Sequence, residues 1–507
     1  MSASSQPTPT KSSRRTNTYR YGIAVITFLG LLAITVVWFW KFRSEPMVGD
    51  DIGLINYYSG AGHSIGELLT ADQAANRWRP VANVAFSLTG WLFGEQFTAW
   101  WVINVLILAL TAAVLAALVR RLTASSFAAF SAALLLITSR FTLYQVITAT
   151  GQIEALTTLF AVLFVAAGLM FLLDRRTSYL WIAWLSLTLA AMTHERFQAL
   201  LVPALLMILI ADSLDARRKW IWAVVFTAPV LILTVVKTQV FALPLAVGTG
   251  TASGVGFSWF STWQHLFVSV AQLSGMNIGP TYLVGLEFSG AMVFRALVAL
   301  TLVGLTAVLT GGPAAIAAAV EPRMVRLSKV ASVGSFLGLT FVACLGASII
   351  TSNLQQRWLV VPYVVLVVVI AAGVGYLRKL SPGRRTGWVL AGVAGFFVAL
   401  TLFANVKYRD GYDLLFFRGW QLQGAGQLAV LKPAALGASE GSNVIYLVDP
   451  SGNAALAASF QALYHANSDS QRLPRFVVVT ERGAVPGDER QPVIVSVQPD
   501  GILNRVR

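Results

Sequence analysis

The chain has 507 residues, 56% of them hydrophobic and only 12% charged, with one cysteine, Cys344, and a formal net charge of +15. So little charge, bunched between long apolar blocks, excludes an ordinary soluble domain and marks a polytopic membrane protein. A single cysteine excludes an intrachain disulfide, and the spread of the basic residues over short loops speaks against a groove for nucleic acid.

In chain order, residues 1–20 read as a disordered, cytoplasmic Ser/Thr/Pro-rich tail. Eleven apolar stretches follow, each read as a membrane span: 21–40, 98–119, 126–143, 155–173, 179–193, 197–211, 220–246, 291–310, 330–350, 359–377 and 387–404. The first is too long, and lacks a small-residue cleavage site, for a removable signal peptide. With a cytoplasmic N-terminus, every second loop is basic: Arg120-Arg121, Arg175-Arg176, Arg217-Arg218-Lys219, Arg323/Arg326/Lys329 and Arg378-Lys379/Arg384-Arg385 all fall inside. Residues 21–404 then form one helical membrane domain. Its first outer loop, 41–97, holds the acidic pair of "VGDDIGLINYY" and the amphipathic stretch "NVAFSLTGWLFG". A Gly-, Ser- and Trp-rich outer segment, 247–290, reads as a flap with a short interfacial helix. Residues 405–507 form a small extracytoplasmic α/β domain, with strands at 443–449, 475–481 and 492–498 and a helix over 452–466.

No span carries Asp or Glu in its apolar interior, and neither buried ionisable residues nor inverted repeats are evident, which weakens a transporter or lipid-flippase reading. The polar residues gather instead at the outer ends of the spans: Asp50 and Asp51, Arg77 and Arg79, Arg140 and Tyr144, Glu154, His194-Glu195-Arg196, and Arg357. Rigid spans with functional loops converging above them are how an active site is built on a helical scaffold.

The blocks "GDD…N", "RWRPVANVAFSLTGWLFG", "TGQIEALTTLFAVL", "THERFQALLVPALL" and "QQRWLVVPYVVL", in that order over residues 21–380, resemble polyprenyl-phosphate-sugar-dependent glycosyltransferases of the GT-C fold. The protein O-mannosyltransferases and their bacterial relatives are the nearest echo. The resemblance implies a GT-C-like bundle of about eleven transmembrane helices in the plasma (inner) membrane. It also implies a polyprenyl-phosphate sugar as donor, and as acceptor a hydroxyl of an envelope glycan, glycolipid or protein on the outer face. Asp50 matches the family's catalytic aspartate and Asp51 the acid beside it, which orients the acceptor or a cation; a divalent cation, if one is used, falls to Asp50 or Asp51. The family's usual acid before the third-loop block is absent here, where Tyr144 stands. "THER" has His for the commoner Lys, and "QQRW" replaces an acid-Arg-Tyr pattern.

Elementary chemistry runs parallel. No phosphate-binding Gly-rich loop lies on an inner segment, so a donor reaching the outer face is lipid-linked. Its anomeric phosphate needs positive charge rather than a general acid, and the acceptor hydroxyl needs one base. Each candidate has a plainer alternative. Asp50 and Asp51 would also cap a short helix starting at Ile52. Arg79 is either a donor-phosphate ligand or an interfacial anchor, and Glu154 either a second site carboxylate or a helix-start acid. His194 and Glu195 either serve the site or pair with Arg196 in an exposed turn, and Arg357 is a candidate phosphate or carrier-lipid contact. Outside the glycosyltransferase class, a transporter or flippase and a non-catalytic envelope scaffold are the alternatives.

Overall fold

The structure is a computed structural model. It describes residues 11–43, 50–59, 65–70, 77–94, 96–243, 258–274, 324–350, 354–380, 392, 395–396, 398–406, 409, 416–439, 443–453, 455–467, 474–485, 492–498 and 503–505. The expected span at 291–310 lies outside them, as does the 247–290 segment apart from 258–274.

The molecule is mostly helical. Helix α1 runs Lys11–Phe39, α2 Asp50–Ser59, α3 Ile65–Leu69, α4 Pro80–Phe93, α5 Phe97–Thr123 and α6 Ser126–Ile137. After these come α7 Leu143–Ile147, α8 Gly151–Asp174, α9 Ser178–Thr193, α10 Leu201–Leu209, α11 Ala216–Val235 and α12 Trp259–Leu273. Helices α13 (Met324–Ile349) and α14 (Val360–Leu380) complete the labelled part of the bundle. Five helical stretches among the described residues are long and apolar enough to cross a bilayer: Gly22–Phe42, Phe97–Thr123, Gly151–Asp174, Ala216–Val240 and Ala331–Ile349. The chain is therefore a multi-pass membrane protein. The apolar helices Pro80–Phe93, Ser126–Ile137 and Ser178–Thr193 are shorter than a bilayer core requires.

Two sequence expectations need correction. Residues 11–20 are not an irregular tail: α1 begins at Lys11, since no Pro or Gly interrupts the run before Gly22 and a helix already nucleated extends cheaply. The stretch 126–143 is not one span either. Helix α6 stops at Ile137, and Thr138 to Thr142 turn the chain before the short α7. The turn is the polar stretch "TSRFT", buried throughout and satisfied from within, with Thr142 Oγ1 donating to the Ser139 carbonyl at 2.8 Å.

Helix α8 is the axis of the bundle. It packs on α5, α9, α13 and α14, and Gly168 lets the Phe336 ring of α13 close on its backbone. At its C-terminal end Asp174 pairs with Arg121 of α5 at 2.9 Å, beside the basic loops. Its N-terminal end lies about 36 Å away at 1.5 Å per residue over 24 residues, and the candidate site is built there.

The C-terminal region has its own core. Helix α15 (Phe416–Ser439) and α16 (Ala455–Ala466) pack on a four-stranded sheet of β1 (Val444–Val448), β2 (Arg475–Val479), β3 (Val493–Val497) and β4 (Leu503–Arg505). The order is β2-β1-β3-β4, with β1 parallel to β2 and β3, and β4 antiparallel to β3. Three strands and the helix occupy the segments expected from alternation; β4, three residues long, was too short to signal. Helix α16 also packs against α2. Ile52 of α2 touches both the C-terminal core and the cluster of Ile55, Phe86, Trp100 and Ala149 on the bundle.

Candidate active site

Four chain segments meet at the N-terminal end of α8: the residues before α4, the first turn of α8, the turn after α9, and the turn before α14. Glu154, in the first turn of α8, is buried. Arg196 Nη2 lies 2.9 and 3.0 Å from its two oxygens, and Arg357 Nε is 3.7 Å from Oε1. The dipole of α8 favours an acid at this position, and Glu154 uses it while holding two guanidinium groups from other segments. Arg79 Nε donates to Glu195 Oε2 at 2.9 Å, and its Nη2 stands 3.2 Å from His194 Nε2. His194 Nδ1 is 3.3 Å from Glu195 Oε2. Nδ1 also accepts from the Arg196 backbone N–H at 3.4 Å. His194 is buried, which rules out the alternative of an exposed turn; it precedes the 3-10 turn Glu195–Leu200, and its ring faces Arg79 and Glu195.

Aromatic faces complete the cation sites. The Arg196 guanidinium lies 4.3 Å from the Trp358 ring centroid, and that of Arg357 lies 4.0 Å from Tyr144. Tyr144 Oη is 2.8 Å from Thr150 Oγ1. Thr150 donates both its backbone N–H and its hydroxyl to Asp51 Oδ1, each at 2.9 Å. The buried Asp51 thus does not cap its own helix. It lies within α2, which begins at Asp50, and fixes the loop that starts α8. The side chain of Asp50 lies outside the described residues.

Arg140 stands apart from this group. It is buried in the turn after α6, where its Nε donates to Gln356 Oε1 at 3.2 Å and its backbone N–H reaches Asn405 Oδ1 at 3.4 Å. Gln356, its partner there, is the neighbour of Arg357. Gly151 is required at the start of α8, because a Cβ there would overlap the carbonyl oxygens of Tyr144 and Gln145.

Residues 77–238 match the family model of dolichyl-phosphate-mannose-protein mannosyltransferase. That is the family group the sequence blocks resemble. The match contains Arg79, Glu154, His194, Glu195 and Arg196, while Asp50, Asp51 and Arg357 lie outside it. The chain is also similar to a solved structure, ArnT from Cupriavidus metallidurans bound to undecaprenyl phosphate. Identity is 14% and the TM-score 0.47, over 94% of this chain and 93% of that one. No curated protein matches the chain.

The mannosyltransferase-like region also holds a residue the sequence reading passed over. Lys237, inside the stretch read as span 220–246, is buried, and its charge acts on Glu195. It corrects the statement that no span hides an ionisable group. Helix α11 ends at Val235 in a π-turn over Val236–Val240. Such a turn shifts the phase of the side chains and often marks a functional position. The signal was present as a lone Lys in "LTVVKTQVF", read there as part of an apolar run.

Electrostatics follow from this crowding. Burial, then the charges of Arg79, Arg196, Arg357 and Arg77, hold the His194 imidazole well below its ordinary pKa, so it is neutral at neutral pH. Burial pushes the Glu195 carboxyl up, but the Arg79 charge, its own backbone N–H and Lys237 outweigh that and leave it below its ordinary value. Burial pulls Arg196 down to about 10; Glu154 opposes this, and the like charges of Arg357 and Arg79 add to it. Among the described residues no group of three or more His, Cys, Asp or Glu side chains could hold a metal ion.

Proposed function

We propose that the chain is a membrane glycosyltransferase that moves a sugar from a polyprenyl-phosphate donor to an acceptor hydroxyl on the outer face of the plasma membrane. The observation that carries this is the meeting of Arg79, Arg196 and Arg357, from three separate segments, over Glu154 and Glu195 at one end of the bundle. Three guanidinium groups around two carboxylates repel one another, and a phosphate entering among them relieves that repulsion. The mannosyltransferase family match supports the reaction class. The basic loops at the opposite end of α8 support an outward-facing site by the positive-inside rule.

In the reaction, the acceptor oxygen attacks the anomeric carbon as the bond from that carbon to the phosphate oxygen breaks. The hydroxyl proton goes to a carboxylate, and the polyprenyl phosphate leaves with the added negative charge. The base falls to Asp50, which matches the family's catalytic aspartate, because Asp51 Oδ1 is already taken up by Thr150. Arg79 and Arg357 serve the leaving phosphate, and Glu154 and Glu195 keep the guanidinium groups apart and aimed. One carboxylate acting on the face opposite the leaving group gives inversion. The acceptor is a hydroxyl of an envelope glycan, glycolipid or protein, with residues 405–507 forming an outer domain beside it.

The test is purified protein in lipid nanodiscs, offered a panel of polyprenyl-phosphate sugars with membrane-extract acceptors. Transfer of one sugar, with the α-to-β or β-to-α change of an inverting step and a loss of about tenfold or more in donor affinity for Arg79→Ala, is the expected result. Absence of transfer from every donor, with net lipid or sugar movement in vesicles instead, would overturn the proposal in favour of a transporter.

A further inference from the structure

The acidic start of α2 and the guanidinium cluster are joined by a chain of hydrogen bonds whose direction is fixed by counting protons. Thr150 Oγ1 has one proton and three oxygen neighbours: Asp51 Oδ1 at 2.9 Å, Tyr144 Oη at 2.8 Å and Thr148 Oγ1 at 3.4 Å. A carboxylate is the strongest acceptor of the three, so the proton goes to Asp51. Thr150 Oγ1 then has only lone pairs to offer, and Tyr144 must donate its phenolic proton to it. That donation holds the Tyr144 ring in one orientation, and the face of that ring lies 4.0 Å beneath the Arg357 guanidinium. Hydrogen bonding of the phenol toward a carboxylate raises the electron density of the ring, which strengthens its hold on the cation. Arg357 in turn reaches Glu154 at 3.7 Å.

We propose that Thr150 and Tyr144 are positioning residues that tie Asp51 on α2 to Arg357, setting the acidic pair and the donor-phosphate cation in one register. Both lie in the segment between α6 and α8, Tyr144 in α7 and Thr150 just before α8. Thr150 stands at the start of α8, where Gly151 lets the chain press against the Tyr144 and Gln145 carbonyls. Movement of α2, as when an acceptor is seated, then reaches Arg357 through three contacts and without any shift of the helices below. The proposal rests on the phosphate-binding role given to Arg357 above.

The experiment measures undecaprenyl phosphate affinity of the full-length protein in nanodiscs, with thermal unfolding of each variant recorded alongside. Arg357→Ala is expected to weaken binding by about tenfold to a hundredfold, as for loss of a charge-assisted bond. Thr150→Val and Tyr144→Phe should each weaken it by about threefold to tenfold, and Thr150→Ser should bind as the parent does. In the Arg357→Ala background, Thr150→Val should add less than twofold, because the link then has nothing to position. If Arg357→Ala weakens binding while Tyr144→Phe and Thr150→Val bind normally, or if the two losses multiply in full, the link is overturned and the phosphate role stands. If Arg357→Ala itself binds normally, the phosphate role fails and the link with it. Tyr144→Phe keeps the ring and the packing, so it decides the matter alone should Thr150→Val fail to fold.

Discussion

Glu154 and Arg196 form a two-pronged pair within 3.0 Å, with Glu154 buried and the Arg196 side chain only 10% exposed. Removing one member leaves the other charged and without its main partner. Arg196→Gln should therefore cost roughly 3–5 kcal/mol, read as a fall in thermal stability in detergent, and the double change Glu154→Gln/Arg196→Gln should recover much of it. An Arg196→Gln protein as stable as the parent would contradict the pairing. His194 gives a second prediction. Its folded pKa lies below its unfolded value of 6.5, so between the two the unfolded chain binds more protons. Its contribution to stability is full above about pH 6.5 and is lost as the pH falls toward the folded value. His194→Gln should flatten the stability profile just below pH 6.5, where the parent declines. Individual charges were legible in the sequence because charge is so scarce here. Their partners were not, since Arg79 meets Glu195 across 116 residues and only the fold joins them. Arg196 was seen as a neighbour in sequence, whereas its carboxylate lies on another helix.

At the level of elements, the site depends on how α8 begins. Gly151 admits the carbonyls of Tyr144 and Gln145, and both are backbone atoms that cannot swing aside. Gly151→Ala should displace the first turn of α8, cost about 1–3 kcal/mol and reduce binding of the proposed polyprenyl-phosphate donor, since Glu154 and Thr150 move together. Unchanged stability and binding would show that the turn is looser than its packing implies. Long apolar helices such as α5 and α8 were legible from composition, because a bilayer demands length. The break at Thr138–Thr142 had a signal in the polar run "TSRFT", masked by the apolar residues on both sides of it. Lys237 was masked in the same way, as a single charge carried on apolar neighbours past the end of α11.

Across the whole molecule, the C-terminal sheet and the bundle share one contact that bears on chemistry. Ile52, next to Asp51, packs against the C-terminal core on one side and the Phe86–Trp100 cluster on the other. A half-buried isoleucine loses less than a fully buried one, so Ile52→Ala should cost about 1–2 kcal/mol and lower the transfer rate more than donor affinity. Equal loss in both would place the effect on folding alone. The order of elements in residues 405–507 was legible from alternating strands, but their seat on α2 was not, because α16 and α2 are separated by nearly the whole chain.

The central claim is that Asp50 takes the proton of the acceptor hydroxyl while the arginines hold the donor phosphate. The most direct measurement is the single-turnover transfer rate of Asp50→Asn from whichever polyprenyl-phosphate sugar the parent accepts, with donor affinity measured in the same preparation. A fall of about 10²–10⁴-fold in rate with affinity retained is predicted. Transfer at the parental rate, in protein folded and inserted normally, would contradict it.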